Sequence, residues 1–119
     1  MKSKVQPIAS QRVMRPDEFI VSKSDPAGLI TYGNRSFITY SGYGEAELLG
    51  QPHSLLRHPD MPRALFHLLW TTLKGGEECF AYIKNLAKDG SYYWSFASLA
   101  PCYDDQNRVN GYLDRKSVV

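Results

Sequence analysis

Cysteine is scarce: Cys79 and Cys102 are the only two in 119 residues. Two are too few for a disulfide scaffold, and no CxxC pair offers a zinc site. Long apolar runs are missing as well. No stretch approaches the length of a transmembrane helix. Residues 1–11 carry Lys2 and Lys4 but no apolar segment of the kind a secretory signal needs. These absences point to a reducing cytoplasm, with any membrane anchor lying in another part of a longer chain. Neither sign of charge is in excess. Fourteen Lys and Arg against 12 Asp and Glu leave a net +2, which removes the electrostatic case for nucleic acid. No Ser, Cys or Lys nucleophile stands at a recognisable spacing from a base, so nothing argues for an enzyme. Internal repeats and low-complexity segments are also lacking.

What is present fits one globular domain. Hydrophobic residues make up 43% and charged residues 22%, ordinary values for a chain with a single core. Residues 1–17 are polar and contain Pro7 and Pro16, which reads as an arm or cap that is mobile unless it docks. Residues 18–119 form the domain. Residues 19–24 read as a strand, Asp25-Pro-Ala-Gly28 as a turn, and residues 29–32 as a second strand completing a hairpin. Asn34 is placed to cap a short helix from Arg35 to Ser41. A further helical turn follows at residues 45–49, closed by Gly50.

The densest group of hydrogen-bonding side chains comes next, in Gly50-Gln-Pro-His-Ser-Leu-Leu-Arg-His-Pro-Asp-Met-Pro62. It runs into an apolar helical pattern at Met61, Leu65, Leu68, Leu69 and Leu73, with Pro62 suited to the first helical position and Asp60 just upstream. Two histidines, an arginine and an aspartate at the mouth of a helix suit a polar or anionic ligand; a solvated turn with a well-capped helix is the plain alternative. His67, mid-helix, reads as an exposed or core-edge residue. Lys74-Gly75-Gly76 stops the helix. The remainder is strand: residues 79–85, a turn at Lys88-Asp-Gly-Ser91, residues 92–103, a turn at 104–107, and residues 109–119. The order predicts an α+β fold, with a five-stranded antiparallel sheet, helices gathered on one face, and a pocket between them.

This order, with Ile30-Thr-Tyr-Gly-Asn34, Ser41-Gly-Tyr43, Glu47-Leu-Leu-Gly50, Arg57-His-Pro-Asp60, Lys88-Asp-Gly90 and Gly111-Tyr112, resembles the PAS sensor family. Residues 50–62 followed by Trp70 and Thr72-Leu-Lys74 resemble the flavin-binding PAS domain of bacterial aerotaxis receptors. The resemblance implies FAD as cofactor, with FMN or haem as alternatives. It implies redox or oxygen sensing relayed to a chemotaxis signalling domain of the same receptor. It also implies roles in flavin binding or signalling for His53, Arg57, His58, Asp60, Trp70 and Asn85, and for Asn34. In related light-sensing PAS domains the reactive cysteine stands where this chain has His53. Their second asparagine is here Ser95, and their strand glutamine is here Leu113. Thiol-adduct photochemistry is therefore not expected, and redox sensing fits better. A haem-bound gas sensor and a cofactor-free dimerisation module are the rival readings.

Each of these residues also has a bland reading. Asn85 can end its strand at the hairpin, Arg57 can pair with Asp60 at the surface, and Trp70 can pack on the sheet. On residues 79–85, Cys79, Ala81, Ile83 and Asn85 share one face and Phe80, Tyr82 and Lys84 the other. A two-residue turn sets Trp94 opposite Asn85, whereas a three-residue loop sets Ser95 there. The resemblance favours the second, with Ser95, Ala97 and Leu99 lining the pocket. Phe80, Tyr82, Trp94 and Phe96 then form an outward aromatic patch, a surface for the arm, for a dimer mate or for the next domain. In that register Cys79 and Cys102 lie on opposite sides of the sheet.

Overall fold

The computed structural model describes residues 5–119. Five strands, β1 (Ile20–Ser24), β2 (Ile30–Gly33), β3 (Cys79–Leu86), β4 (Tyr92–Tyr103) and β5 (Val109–Ser117), form one antiparallel sheet in the order β2-β1-β5-β4-β3. Between β2 and β3 come α1 (Arg35–Ser41), α2 (Glu45–Leu48), a 3₁₀ turn at His53–Leu56, and α3 (Arg63–Lys74). The expected α+β fold is thus present. The β5 strand joins the two hairpins, because β1 pairs with it on one side and β4 on the other.

The core is divided between the two helical regions. Under α1 and α2, Ile20, Ile30, Phe37, Tyr40, Leu48 and Tyr93 pack into one buried cluster that includes Met14 of the arm. Under α3 lies a smaller cluster of Leu69, Ile83 and Ala97. Leu68 shares the apolar pattern but is 61% exposed, because the helix turns only one narrow stripe to the sheet. Pro62 is the N-cap, with ψ 138°, and not the first helical residue. Its extended backbone lets the 57–62 segment leave the sheet before the helix begins. The 3₁₀ turn, four residues long behind Pro52, is too short to show a helical period in the sequence.

The β3–β4 hairpin closes through an N–H of Ala87 donating to Ser91 O at 2.8 Å, so residues 88–90 make a three-residue loop. That sets Tyr93, and neither Trp94 nor Ser95, directly opposite Asn85. The faces come out as expected, because Ser95 lies two residues on and points the same way as Tyr93. Ser95 and Ala97 are completely buried beneath the helices and, unlike Leu99, do not line the pocket that was expected of all three. Cys79 and Cys102 are both free thiols.

The arm is docked. Ile8 N–H donates to Gly90 O at 2.9 Å, Tyr92 N–H to Ser10 O at 2.9 Å, and Arg12 N–H to Tyr92 O at 2.7 Å. The Arg12 guanidinium donates to Ser91 Oγ, to the carbonyls of Thr39 and Tyr40, and to Asp89. Gly90 permits the approach: its φ is +93°, and a Cβ there would meet Gln6 O at 2.2 Å. The described part of the arm, residues 5–17, therefore covers the hairpin loop and the end of α1 and does not cover the outward aromatics. Phe80 and Tyr82 are each 60% exposed, and Phe80 stacks on Phe96 with centroids 6.1 Å apart.

Candidate functional site

Between α3 and the sheet lies a cavity of about 100 Å³, open in part to solvent. Two kinds of wall enclose it. Phe66, Leu69 and Leu73 of α3, with Ile83 of β3 and Leu99 of β4, make an apolar side. Ser24 of β1, Asp114 and Lys116 of β5, His53 and Arg57 make a polar side. Strand alternation produces the second wall, because Tyr112, Asp114 and Lys116 point inward at every other position of β5. Leu113, which lies between Tyr112 and Asp114, is not among the lining residues.

Four of the residues singled out from the sequence meet here: His53, Arg57, Trp70 and Asn85. The backbones of Arg57 and Asn85 form a β-bridge, which pins the 3₁₀ turn to the sheet. The Arg57 guanidinium lies 3.9 Å from the centroid of the Phe66 ring and makes no pair with Asp60. A cation stacked on a ring face keeps its planar edge available for hydrogen bonds. Asn85 is buried, and its Nδ2 donates toward Ser95 Oγ at 3.0 Å and toward the carbonyls of Ile83 and Tyr93 at 3.2 Å. Trp70 meets Tyr112 edge-on at 5.1 Å. Its ring also lies against Gly28, where φ is +90° and a Cβ would come within 2.9 Å of Trp70 Cζ2.

The other three predicted residues lie outside the cavity. Asn34 caps α1, accepting from Phe37 and Val21 N–H while donating to Phe19 O; every part of its amide serves the fold. His58 is buried with its ring edge-on to Tyr92, and its Nδ1 accepts from Asp60 N–H at 3.0 Å. That bond requires an unprotonated nitrogen, so the 3.8 Å approach to the Asp60 carboxylate is not an ion pair. Asp60 instead pairs with Lys84 at 2.8 Å, which holds its carboxyl below the usual range. His67 is exposed.

Three buried side-chain atoms among the described residues have no hydrogen-bond partner: His53 Nδ1, Arg57 Nε and Asp114 Oδ1. All three belong to residues that line this cavity. Buried polar groups are normally satisfied, and leaving one unpaired costs about 1–3 kcal/mol. Three in one cavity mark where a ligand's complementary groups belong.

His53 also has an electrostatic consequence. Burial drives its pKa down from 6.5 to about 4, with Lys116 and Arg57 adding to the shift and Asp114 opposing it. The folded state therefore keeps His53 neutral while the unfolded chain takes up a proton below 6.5. Stability is unaffected above that pH and falls as pH drops from 6.5 toward 4, by up to roughly 3 kcal/mol. Urea melts of the ligand-free protein across this window are expected to show the decline. His53→Leu is expected to flatten it, apart from the share of His58, whose pKa is also lowered.

A second, more open groove adjoins the first and shares His53, Arg57 and Trp70 with it. Pro26, Ala27, Gly28, Pro52, Ser54 and Lys74 complete its lining. Two cationic side chains, Arg57 and Lys74, thus line this outer groove.

The family model for the PAS fold matches residues 30–113. The aerotaxis receptor of Escherichia coli K12 is 41% identical over 97 residues, covering 82% of this chain and 19% of that protein. A nitrogen fixation regulatory protein of Klebsiella pneumoniae is 31% identical over 93 residues, covering 78% and 19%. The chain thus spans about a fifth of the length of these relatives. A light-oxygen-voltage domain studied with a flavin analogue superposes with a TM-score of 0.74 at 29% identity, over 85% of this chain and 76% of that one. The Aureochrome1 light-oxygen-voltage domain gives 0.75 at 22% identity, over 87% and 82%, a likeness of fold alone. No helix among the described residues is long and apolar enough to cross a membrane.

Proposed function

This chain belongs to the PAS fold family, and from that premise we propose that it is a flavin-binding redox- and oxygen-sensing input domain of an aerotaxis-type signal transducer, with FAD as its cofactor. The observation that carries the reading is the set of unpartnered buried atoms in one cavity. A flavin ring suits this lining on both sides. Its apolar edge matches Leu69, Leu73, Ile83 and Leu99, and its polar edge offers acceptors to Arg57 Nε and a donor to Asp114 Oδ1. The outer groove supports the choice of a dinucleotide, because Arg57 and Lys74 would supply cations for a pyrophosphate there.

Haem suits the site less well. His53 is the one histidine lining the cavity, and its Nε2 lies 3.2 Å from Ser22 Oγ. A haem's propionates and metallated ring bring no N–H for Asp114. A cofactor-free module would leave all three buried atoms unserved. With His53 where light-sensing relatives carry the reactive cysteine, thiol-adduct photochemistry has no nucleophile at that position. We assign the domain a sensing role rather than a catalytic one, on the cytoplasmic side of a receptor whose membrane anchor lies elsewhere.

When bound, the flavin would supply reversible redox chemistry with a change of protonation on its ring. Asn85 reads that change by exchanging its bond to Ser95 Oγ for one to the ligand. Asn85 and Ser95 lie on the paired strands β3 and β4, so a shift of one moves the other. The reverse face of those strands carries Phe80, Tyr82, Trp94 and Phe96, which present the change to the signalling domain or to a second copy of the chain. This is a shift between two arrangements of one sheet. Amide hydrogen exchange in oxidised and reduced protein tests it. Protection at residues 80–85 and 93–96 is expected to differ between the two states in wild type, and the difference is expected to shrink in Asn85→Ala. Identical protection in both states would refute the relay.

A further inference from the structure

The sequence motifs leave Asp114 and Lys116 unused, yet both face the cavity with side chains 13% and 8% exposed. One carboxylate oxygen of Asp114 accepts from Lys116 Nζ, and the other is buried without a partner. A buried ion pair is a poor stabilising device. Desolvation of both charges offsets most of their attraction, and well-packed apolar residues of similar size are often as stable. Its position on a ligand-facing wall therefore calls for another reason. A carboxylate oxygen accepts and never donates, so what Asp114 lacks is a hydrogen-bond donor. The neighbouring unpartnered atom, Arg57 Nε, is itself a donor but lies stacked on Phe66 and makes no bond to Asp114.

Resting on the flavin reading above, we infer that Asp114 is a specificity-determining residue that accepts a hydrogen bond from a ring N–H of the bound ligand, and that Lys116 is the positioning residue that holds its carboxylate for that bond. A ring N–H stands on the oxidised isoalloxazine, and another is added when the ring is reduced. The contact thus bears on affinity in one or both states. If the two states feel it unequally, it also sets the potential at which the sensor switches.

The test compares the purified wild-type chain with Asp114→Leu/Lys116→Met, which removes both charges together and leaves no lone buried ion. Each is titrated with FAD, oxidised and then reduced under anaerobic conditions, alongside thermal melts. The double variant is expected to melt no lower than wild type but to bind FAD at least tenfold more weakly in at least one redox state. A difference in loss between the states would move the midpoint potential, which a purely structural role would leave in place. Should the double variant fail to fold, Asp114→Val/Lys116→Leu, which removes the same acceptor and the same pair with residues that favour a strand, is expected to show the same loss. Wild-type affinity in both redox states would overturn the inference, with the pair then a structural feature served by water. Failure of the wild-type chain itself to bind FAD in either state would overturn the flavin reading, and this inference with it.

Discussion

Phe37→Ala is expected to lower the unfolding free energy by about 3–5 kcal/mol, the range for emptying a large aromatic site in a packed core. Phe37 is fully enclosed in the cluster under α1 and α2. Its ring fits so closely against β2 that a Cβ on Gly33 would come within 2.4 Å of Phe37 Cδ2. The residue joins three levels of the structure. It stands in the first turn of the helix that Asn34 caps, it packs on both strands of the first hairpin, and its ring lies 6.3 Å from that of His53. Little can move in to fill the space. In urea the midpoint should fall while the slope stays constant. A loss below about 1 kcal/mol would show that the helix packs loosely and that the 3₁₀ turn is supported from elsewhere.

Leu99→Trp is expected to abolish flavin binding while leaving the fold intact. Leu99 lines the cavity from β4 and sits opposite Cys79 in the sheet. An indole at this position extends from the Leu69–Ile83–Ala97 cluster it packs on into the cavity's free space, so only part of the overpacking penalty of about 1–3 kcal/mol seen in full cores is incurred. The space it takes is the space the ring needs. Affinity for FAD should fall at least a hundredfold, equivalent to about 2.7 kcal/mol, with little change in the thermal midpoint. Unchanged affinity would place the ligand outside this cavity, in the outer groove or on the surface.

Much of this architecture could be read from pattern. Alternation on β3 put Ala81, Ile83 and Asn85 on one face and Phe80 and Tyr82 on the other, and the sheet keeps that division. Gly28 and Gly90 marked turns because their positive φ suits few other residues, and Asn34 marked a cap because its side chain can accept from the helix N-terminus. The hairpin register was less legible. Loops starting one residue apart have nearly the same composition but shift every cross-strand partner, and only the Ala87–Ser91 bond decides between them.

The site was legible in part. His53, Arg57, Trp70 and Asn85 came from a motif and do converge. His58 and Asp60 came from the same motif and turn elsewhere: His58 follows Arg57 directly and points the other way, and Asp60 lies in the turn beyond it, paired with Lys84. Asp114 and Lys116 were missed for a physical reason. Charged residues on a last strand read as solvent-facing, and nothing local announces that α3 will cover them. The signal was present in the period, since Tyr112, Asp114 and Lys116 alternate with Leu113 and Arg115. Weighing that alternation above charge would have found them.

The most direct test of the central claim is the absorption spectrum of the purified protein, followed by denaturation and chromatography of whatever is released. The visible absorption of a bound flavin and the release of FAD are the expected result. A haem spectrum, or protein that stays colourless after incubation with both FAD and FMN, would contradict it.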